Sequence, residues 1–288
     1  MNTNTDKSYL GFDIGGSKVA WGLVSEEGKL LTSGRYHTPA DAEAFMQALV
    51  ETIEAHPATA VGIGIAGTLS SDRHSTALCT NIPSLSNFPL VDRLAERFPD
   101  TVFAMDNDAR CALIGEVWLG AAQELSSAVM ITIGTGIGGA VMRRGIVRPH
   151  PQDIGQEVGR ISVDPSDVFP SKSGRGSVES FIGGRNLQER LQIELAHESE
   201  AVRTGDQDSK EVWHAISYFF IQCIQAIYGE YHCDTIIVGG VGSRDLDHYL
   251  QDPAPCKVIA AKLGEEAGIY GAGRLAIDAY QESLKDWE

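Results

Sequence analysis

The chain is 288 residues long, with 43% hydrophobic and 22% charged residues and a formal net charge of −16. That balance describes a soluble globular protein of one large domain or two smaller ones around a cleft, and its acidity argues against nucleic acid and anionic membranes as partners. No apolar run approaches a membrane span and residues 1–8 are polar without a signal-peptide core, so a cytoplasmic location is expected.

Tyr9 to Phe12 and Val19 to Val24 read as strands, and Glu27-Gly28 turns the chain into a third strand signal at Lys29-Leu30-Leu31. After Thr38-Pro39, a helix start, Phe45, Met46, Leu49, Val50 and Ile53 recur at helical spacing. Val61 to Gly67 is a glycine-rich buried strand that ends in a loop. A short helix from Leu90 to Arg97 follows Pro89. Val102 to Met105 then leads as a strand into Asp106-Asn107-Asp108, which opens a helix through Ala109, Ala112, Leu113 and Glu116. This half has the pattern of an α/β lobe.

The second half begins with a strand from Ala128 to Ile133, a glycine turn, and a further strand from Ala140 to Met142. Residues 145–184 are irregular, rich in Pro, Ser, Asp and Gly, and long for a connection without function. Helices are predicted over Leu187 to Glu198 and Val212 to Tyr228, with a polar loop from Glu198 to Lys210 between them. A strand from Asp234 runs into Gly239-Gly240, Lys257 to Ala261 follows, and a last helix spans Glu265 to Ser283. Cys79, Cys111, Cys223, Cys233 and Cys256 are odd in number and scattered, without a C-x-x-C pair. They imply buried thiols rather than a disulfide framework or a zinc cluster.

Two stretches organise this pattern, Asp13-Ile14-Gly15-Gly16-Ser17-Lys18 and Gly134-Thr135-Gly136-Ile137-Gly138-Gly139. Each lies between strand-like runs and predicts a β-hairpin whose turn is nearly bare backbone. A glycine turn accepts φ > 0 and lets a bulky anion approach the amides. Two such turns point to a polyphosphate held between two lobes; ordinary connecting hairpins are the plain alternative. Gly11 and Gly16 have P-loop separation, but Ser17-Lys18 stands in the wrong order and the flank is not strand-then-helix. Gly134, Gly136 and Gly139 satisfy G-x-G-x-x-G, yet a strand follows where that motif needs a helix.

Together with Asn107-Asp108, Gly155-Gln156-Glu157-Val158-Gly159, Val238-Gly239-Gly240 and Gly271-Ala272, in this order and spacing, these residues resemble the ROK family of sugar kinases over nearly the whole chain. The resemblance implies an α/β, two-lobed actin-like ATPase (ribonuclease H-like) fold with a central interlobe cleft. It assigns residues 1–118 and 272–288 to a small lobe and residues 119–271 to a large one. It also implies ATP and Mg2+ as cofactors and a small-molecule sugar as substrate, and relatives are often homodimers. Family members that act as repressors carry a DNA-binding segment before the first hairpin. Here that hairpin begins at Tyr9, so no such segment is expected.

By the same resemblance Asp108 is the catalytic base, since a sugar hydroxyl attacking a γ-phosphoryl group must lose its proton. The alternative is a cap for the helix beginning at Ala109. Asp13 would bind Mg2+, directly or through water, because that ion takes one or two carboxylates beside waters and phosphate oxygens; a turn-forming Asp is the alternative. Gly15, Gly16 and Ser17 would face the nucleotide, with Lys18 either neutralising phosphate or simply solvated. Gly134, Thr135 and Gly136 would cradle phosphates, and Gly239 and Gly240 would lie beside the adenosine, unless they merely end a strand. For the sugar the family pattern points to Gly67, Asn81, Asn107, Asp108, Glu157 and Glu179, side chains and backbone able to pair with hydroxyls. Asn81 is also an ordinary residue before Ile82-Pro83, and the two glutamates could be exposed loop charges.

Two departures from the family matter. Its Gly-Glu-x-Gly-His run has Gln156 in the first position here and Arg160 in the last. Its zinc-binding cysteines are replaced by serine throughout Ser171-Lys172-Ser173-Gly174-Arg175-Gly176-Ser177-Val178-Glu179, so no zinc is expected. Arg160 has donors only and a permanent charge. It would pair with Glu157 or Glu179 as scaffold, or face an acidic or unusual sugar. The expectation is an ATP- and Mg2+-dependent kinase acting on a hexose at O6, glucose first and N-acetylglucosamine or N-acetylmannosamine next, with lobe closure excluding water. The alternative class is a non-catalytic sugar-binding regulator on the same scaffold, and polyphosphate as donor stays open.

Overall fold

The computed structural model describes residues 7–134, 136–147, 157–167, 169, 174–195 and 210–285. In chain order the elements are β1 (Ser8–Ile14), β2 (Lys18–Ser25), β3 (Leu30–His37), α1 (Ala42–Ala55), β4 (Ala60–Ile65), β5 (Thr68–Leu69), β6 (Thr76–Leu78), α2 (Leu90–Arg97), β7 (Val102–Asn107) and α3 (Asp108–Leu119). There follow β8 (Ser127–Ile133), β9 (Ile137–Arg143), β10 (Ile146–Val147), α4 (Glu157–Arg160), α5 (Val178–Ile182), α6 (Gly184–Leu195), α7 (Lys210–Tyr231), β11 (Thr235–Gly240), α8 (Leu246–Tyr249), β12 (Lys257–Ala260) and α9 (Ala267–Lys285). Over the described residues the chain forms two compact units, the first running to Glu124 and resuming at Glu265, the second holding the residues between. Among the described residues no helix is long and apolar enough to cross a membrane.

The first unit is built on a sheet of order β3-β2-β1-β4-β7, with β1 antiparallel to β2 and parallel to β4, and β4 parallel to β7. Period-two alternation decides what each face meets. Leu10, Phe12 and Ile14 point into a core with Val61, Ile63, Ile65 and the buried stripe Phe45, Met46, Leu49 and Ile53 of α1. Tyr9 points the other way and packs with Ala276 and Ile277 of α9. On that second face Gly62 admits the helix: a β-carbon there would run into the Ala272 carbonyl.

The second unit repeats the plan with order β10-β9-β8-β11-β12, β8 antiparallel to β9 and parallel to β11. Val129, Ile131 and Ile133 meet Ile236, Val238 and the apolar stripe of α7, including Phe220, Ile224 and Ile227. The doubled strand–turn–strand unit of the sequence is thus the start of two sheets with one topology.

Several boundaries differ from the sequence reading. Residues 119–124 and 265–271, expected in the large lobe, belong to the first unit. Buried Glu116 explains the former, accepting from the amides of Ala121 and Ala122 just beyond α3. Gly271 explains the latter, since α9 lies so close on α3 that a side chain there would meet the Cys111 carbonyl. The third strand runs on to His37, because pairing with β2 extends an edge whose exposed polar residues give no strand pattern. The first helix is capped by Asp41, which accepts from Glu43 and Ala44, rather than opening at Thr38-Pro39. Residues 196–209, which include most of the expected polar loop, lie outside the described residues.

Candidate active site

In the first unit the three parallel strands deliver their chemistry to one edge. Ile14, Ile65 and Asn107 stand in register at the carboxyl ends of β1, β4 and β7, where open α/β sheets bind ligands. Asp13, the Gly15–Lys18 turn, Gly67 and Asp108 therefore gather along that edge. The turn is closed by Gly15 N–H donating to Lys18 O at 2.9 Å, and Thr38 braces it, its hydroxyl donating to Gly15 O at 2.7 Å and its amide to Ser17 O at 3.2 Å. Among the described residues the amides of Gly16 and Ser17 make no hydrogen bond to protein and remain available as donors. Neither Gly15 nor Gly16 has a positive φ, contrary to the sequence argument. Gly16 is needed for space, because a β-carbon would lie 2.7 Å from Asn81 Cβ.

Asp108 opens α3, but Asn107 caps it, accepting from Ala109 N at 3.0 Å and Arg110 N at 3.3 Å. The Asn107 amide group donates to Gly67 O at 3.1 Å and to Asp108 Oδ1 at 2.9 Å. Ala109 N also donates to Oδ1 at 2.9 Å, so the carboxylate is held by one oxygen. Its Oδ2 makes no hydrogen bond to another residue among those described. Beneath this point Asp106, 1% exposed, pairs with Arg73 at 2.5 Å and Arg110 at 3.1 Å.

The Asp13 carboxylate accepts no hydrogen bond from protein among the described residues. Burial, with the Asp108 charge adding to it and Lys18 opposing, pushes its carboxyl up to about 7. Burial raises Asp108 as well, against the bonds from Ala109 and Asn107. A half-buried acid without a donor, beside a second acid, fits a divalent cation of the oxygen-seeking kind, which needs few protein ligands.

In the second unit β8 and β11 end side by side, Gly240 opposite Ile133, so the Gly134 turn and the Gly239-Gly240 terminus share one edge. Gly240 has φ +68 and leaves no room for a side chain against Ile133. Gly134 N–H donates to Gly136 O at 3.0 Å. Glu179 reaches this turn from α5: its Oε2 accepts from Ile137 N at 3.1 Å, and a β-carbon at Gly136 would lie 2.7 Å from that oxygen. The α4 turn packs on the same hairpin, with Gly159 against Ile137 and the stem of Glu179.

Residues 9–279 match the model of the ROK family. The chain belongs to the ROK family. Among curated relatives, a glucokinase of Thermotoga maritima is 28% identical over 92% of this chain and 96% of its own. An N-acetylmannosamine kinase of Escherichia fergusonii is 30% identical over 93% of this chain and 97% of its own. Among solved structures, a ROK family glucokinase from Streptomyces griseus in complex with glucose and AMPPNP is 28% identical, covers 94% of this chain and 99% of that one, and has a TM-score of 0.78. The fold is the α/β actin-like ATPase fold of these ROK sugar kinases.

Of the residues singled out by their ROK motifs, Asp13, Gly15, Gly16, Ser17, Gly67, Asn81, Asn107 and Asp108 come together in the first unit, and Gly134, Gly136, Glu179, Gly239 and Gly240 in the second. Lys18 pairs with Glu265 at 3.2 Å on the surface, with Arg35 at 3.8 Å from the same oxygen. Arg160 is exposed at the end of α4. Thr135, Gln156, Ser171 and Ser173 lie outside the described residues, as does the Glu157 side chain. Ser177, at a cysteine position of the ROK zinc run, caps α5: its hydroxyl accepts from Ser180 N and donates to Gly174 O at 2.8 Å. Sequence reasoning missed Thr38 and Arg73, whose partners lie on other elements and leave no local pattern.

Proposed function

We propose that this chain transfers the γ-phosphoryl group of ATP to a hydroxyl, O6, of a hexose, with glucose as the first candidate. The observation that carries the reading is Asp108, half-buried at the sheet edge, oriented through Oδ1 and with its other oxygen uncommitted. Such a carboxylate orients an attacking alcohol and takes its proton as the new bond forms. Asn107 supports it twice, by capping α3 and by holding Asp108 Oδ1 directly. The free amides of Gly16 and Ser17 suit phosphate oxygens. From the second unit the turn of Gly134 and Gly136, closed by the Gly134 amide, would cradle phosphate, with Gly239 and Gly240 toward the base. Asp13 is the residue to hold Mg2+, which would neutralise phosphate charge when bound. Gly67, Asn81, Glu157 and Glu179 are assigned to the sugar and Arg160 to the scaffold around them. ATP as donor and five thiols without a disulfide suit the cytoplasm.

N-acetylmannosamine is the second substrate reading, favoured by the 30% identity to the Escherichia fergusonii enzyme. One assay decides between them: ADP release coupled to a reporter, over glucose, N-acetylglucosamine and N-acetylmannosamine. The expected result is hexose-dependent ADP release that Asp108→Asn lowers by about 10²–10⁴-fold, with ATP binding retained. Hexose-independent background with every sugar, or full activity in Asp108→Asn, overturns the reading.

A further inference from the structure

One buried cation in the second unit has no part in the proposed chemistry. Arg190 on α6 is 2% exposed. A guanidinium is costly to bury unless its charge and donors are matched. Here they are: one terminal nitrogen lies 2.5 Å from Asp167 Oδ2, and Nε donates to the Ser180 carbonyl at 3.2 Å. The guanidinium also lies over the rings of Phe181, Phe169 and Phe219, with centroids at 4.0, 4.6 and 5.5 Å. Asp167 accepts in turn from Phe169 N at 3.2 Å through its other oxygen.

The grip falls on the helix that carries Glu179. With five residues, α5 is too short to be stable by itself. Asn186 and Arg190 stand four apart on one face of α6 and take consecutive carbonyls of α5: Asn186 Nδ2 donates to Glu179 O at 3.0 Å, Arg190 Nε to Ser180 O. We propose that Arg190 is a positioning residue for the Glu179 carboxylate, locking the first turn of α5 so that Glu179 stays docked on the Ile137 amide with its remaining lone pairs presented outward. The proposal rests on reading Glu179 as a sugar-contacting group. Lysine cannot replace it, because an ammonium can pair with Asp167 but cannot also offer a planar face to three rings and a second fixed donor.

The test uses the full chain with three variants: Arg190→Lys, the double variant Arg190→Met with Asp167→Asn, and Glu179→Gln as control. Steady-state constants are measured with the best hexose of the panel, and amide hydrogen exchange is followed over residues 177–182. Removing both partners leaves neither charge of this pair buried alone, so the double variant is expected to fold, which its thermal melt checks. We expect Arg190→Lys and the double variant to raise the hexose KM roughly tenfold, a loss of about 1.4 kcal/mol, while the KM for ATP stays within about twofold. Exchange at 177–182 should quicken in both. Unchanged exchange there overturns the positioning role, whatever the kinetics. Faster exchange with an unaltered hexose KM overturns the link to Glu179, provided that Glu179→Gln itself raises that KM. If Glu179→Gln leaves the hexose KM unaltered, the sugar reading of Glu179 falls and the exchange result alone decides what Arg190 does.

Discussion

The hairpins β1–β2 and β8–β9 share one plan, a strand, a glycine turn and a return strand beside a parallel neighbour, yet their acids live differently. At the first, Asp13 lies within the strand, its carboxylate receives no hydrogen bond from protein among the described residues, and burial pushes the carboxyl up to about 7. At the second, Glu179 arrives from a distant helix and spends one oxygen on the Ile137 amide at 3.1 Å. One strand plan thus meets an acid that lacks compensation at the first turn and an anchored one at the second. An uncompensated acid is held at a cost that a cation can offset, whereas an anchored acid is rigid and can aim its remaining lone pairs. On the proposed reading, that difference suits metal binding at the first and sugar positioning at the second.

The largest expected effect comes from removing the uncompensated charge. Asp13→Asn should lower kcat/KM on the order of 100-fold or more, as loss of a metal ligand does. It should also stabilise the fold at alkaline pH. The folded carboxyl keeps its proton up to about pH 7, whereas the unfolded one loses it near 3.8, so stability falls as pH rises through that window. The asparagine variant escapes this loss and should gain about 1 kcal/mol or more at pH 8, and nothing below pH 3.8, in thermal melts. In the parent enzyme, activity should fall as pH drops through about 7, and added Mg2+ should move that limb to lower pH by competing with the proton. A limb indifferent to Mg2+ would break the comparison at Asp13.

A smaller effect is expected at the anchored acid. Glu179→Gln keeps an acceptor for Ile137 N but loses the charge-assisted share of the bond, about 1 kcal/mol, and should raise the hexose KM several-fold in steady-state assays. The smallest change sharpens the first turn: Lys18→Ala removes an exposed pair with Glu265, a contact of about 0–1 kcal/mol. The KM for ATP should rise no more than about threefold, and less at high salt. A much larger rise would show that Lys18 leaves Glu265 to meet the nucleotide.

Much of this was legible from residue order. Strand signals located β1, β2, β4 and β7, and the strand-to-helix junction placed Asp108 at an edge, whereas Asp13, read as part of the glycine turn, lies within β1. The capping question at Asp108 was not settled there, because Asn107 and Asp108 are both good caps. Only the observed hydrogen bonds give that task to Asn107. Nor do the turn glycines need the positive φ that a glycine turn permits: Gly16 makes room for Asn81 and Gly136 for Glu179, with no positive φ at either.

The sequence by itself determined the elements and the two hairpins, since a period of two, a period of 3.6 and a glycine turn are all written within a few neighbouring residues. Tertiary structure alone decided how closely α9 lies on Gly62 and α3, that Glu179 reaches the Gly136 turn, and that Arg190 holds α5 between Asp167 and three phenylalanines. Those outcomes depend on which surfaces meet across tens to hundreds of residues, and local periodicity carries no record of a partner so far along the chain.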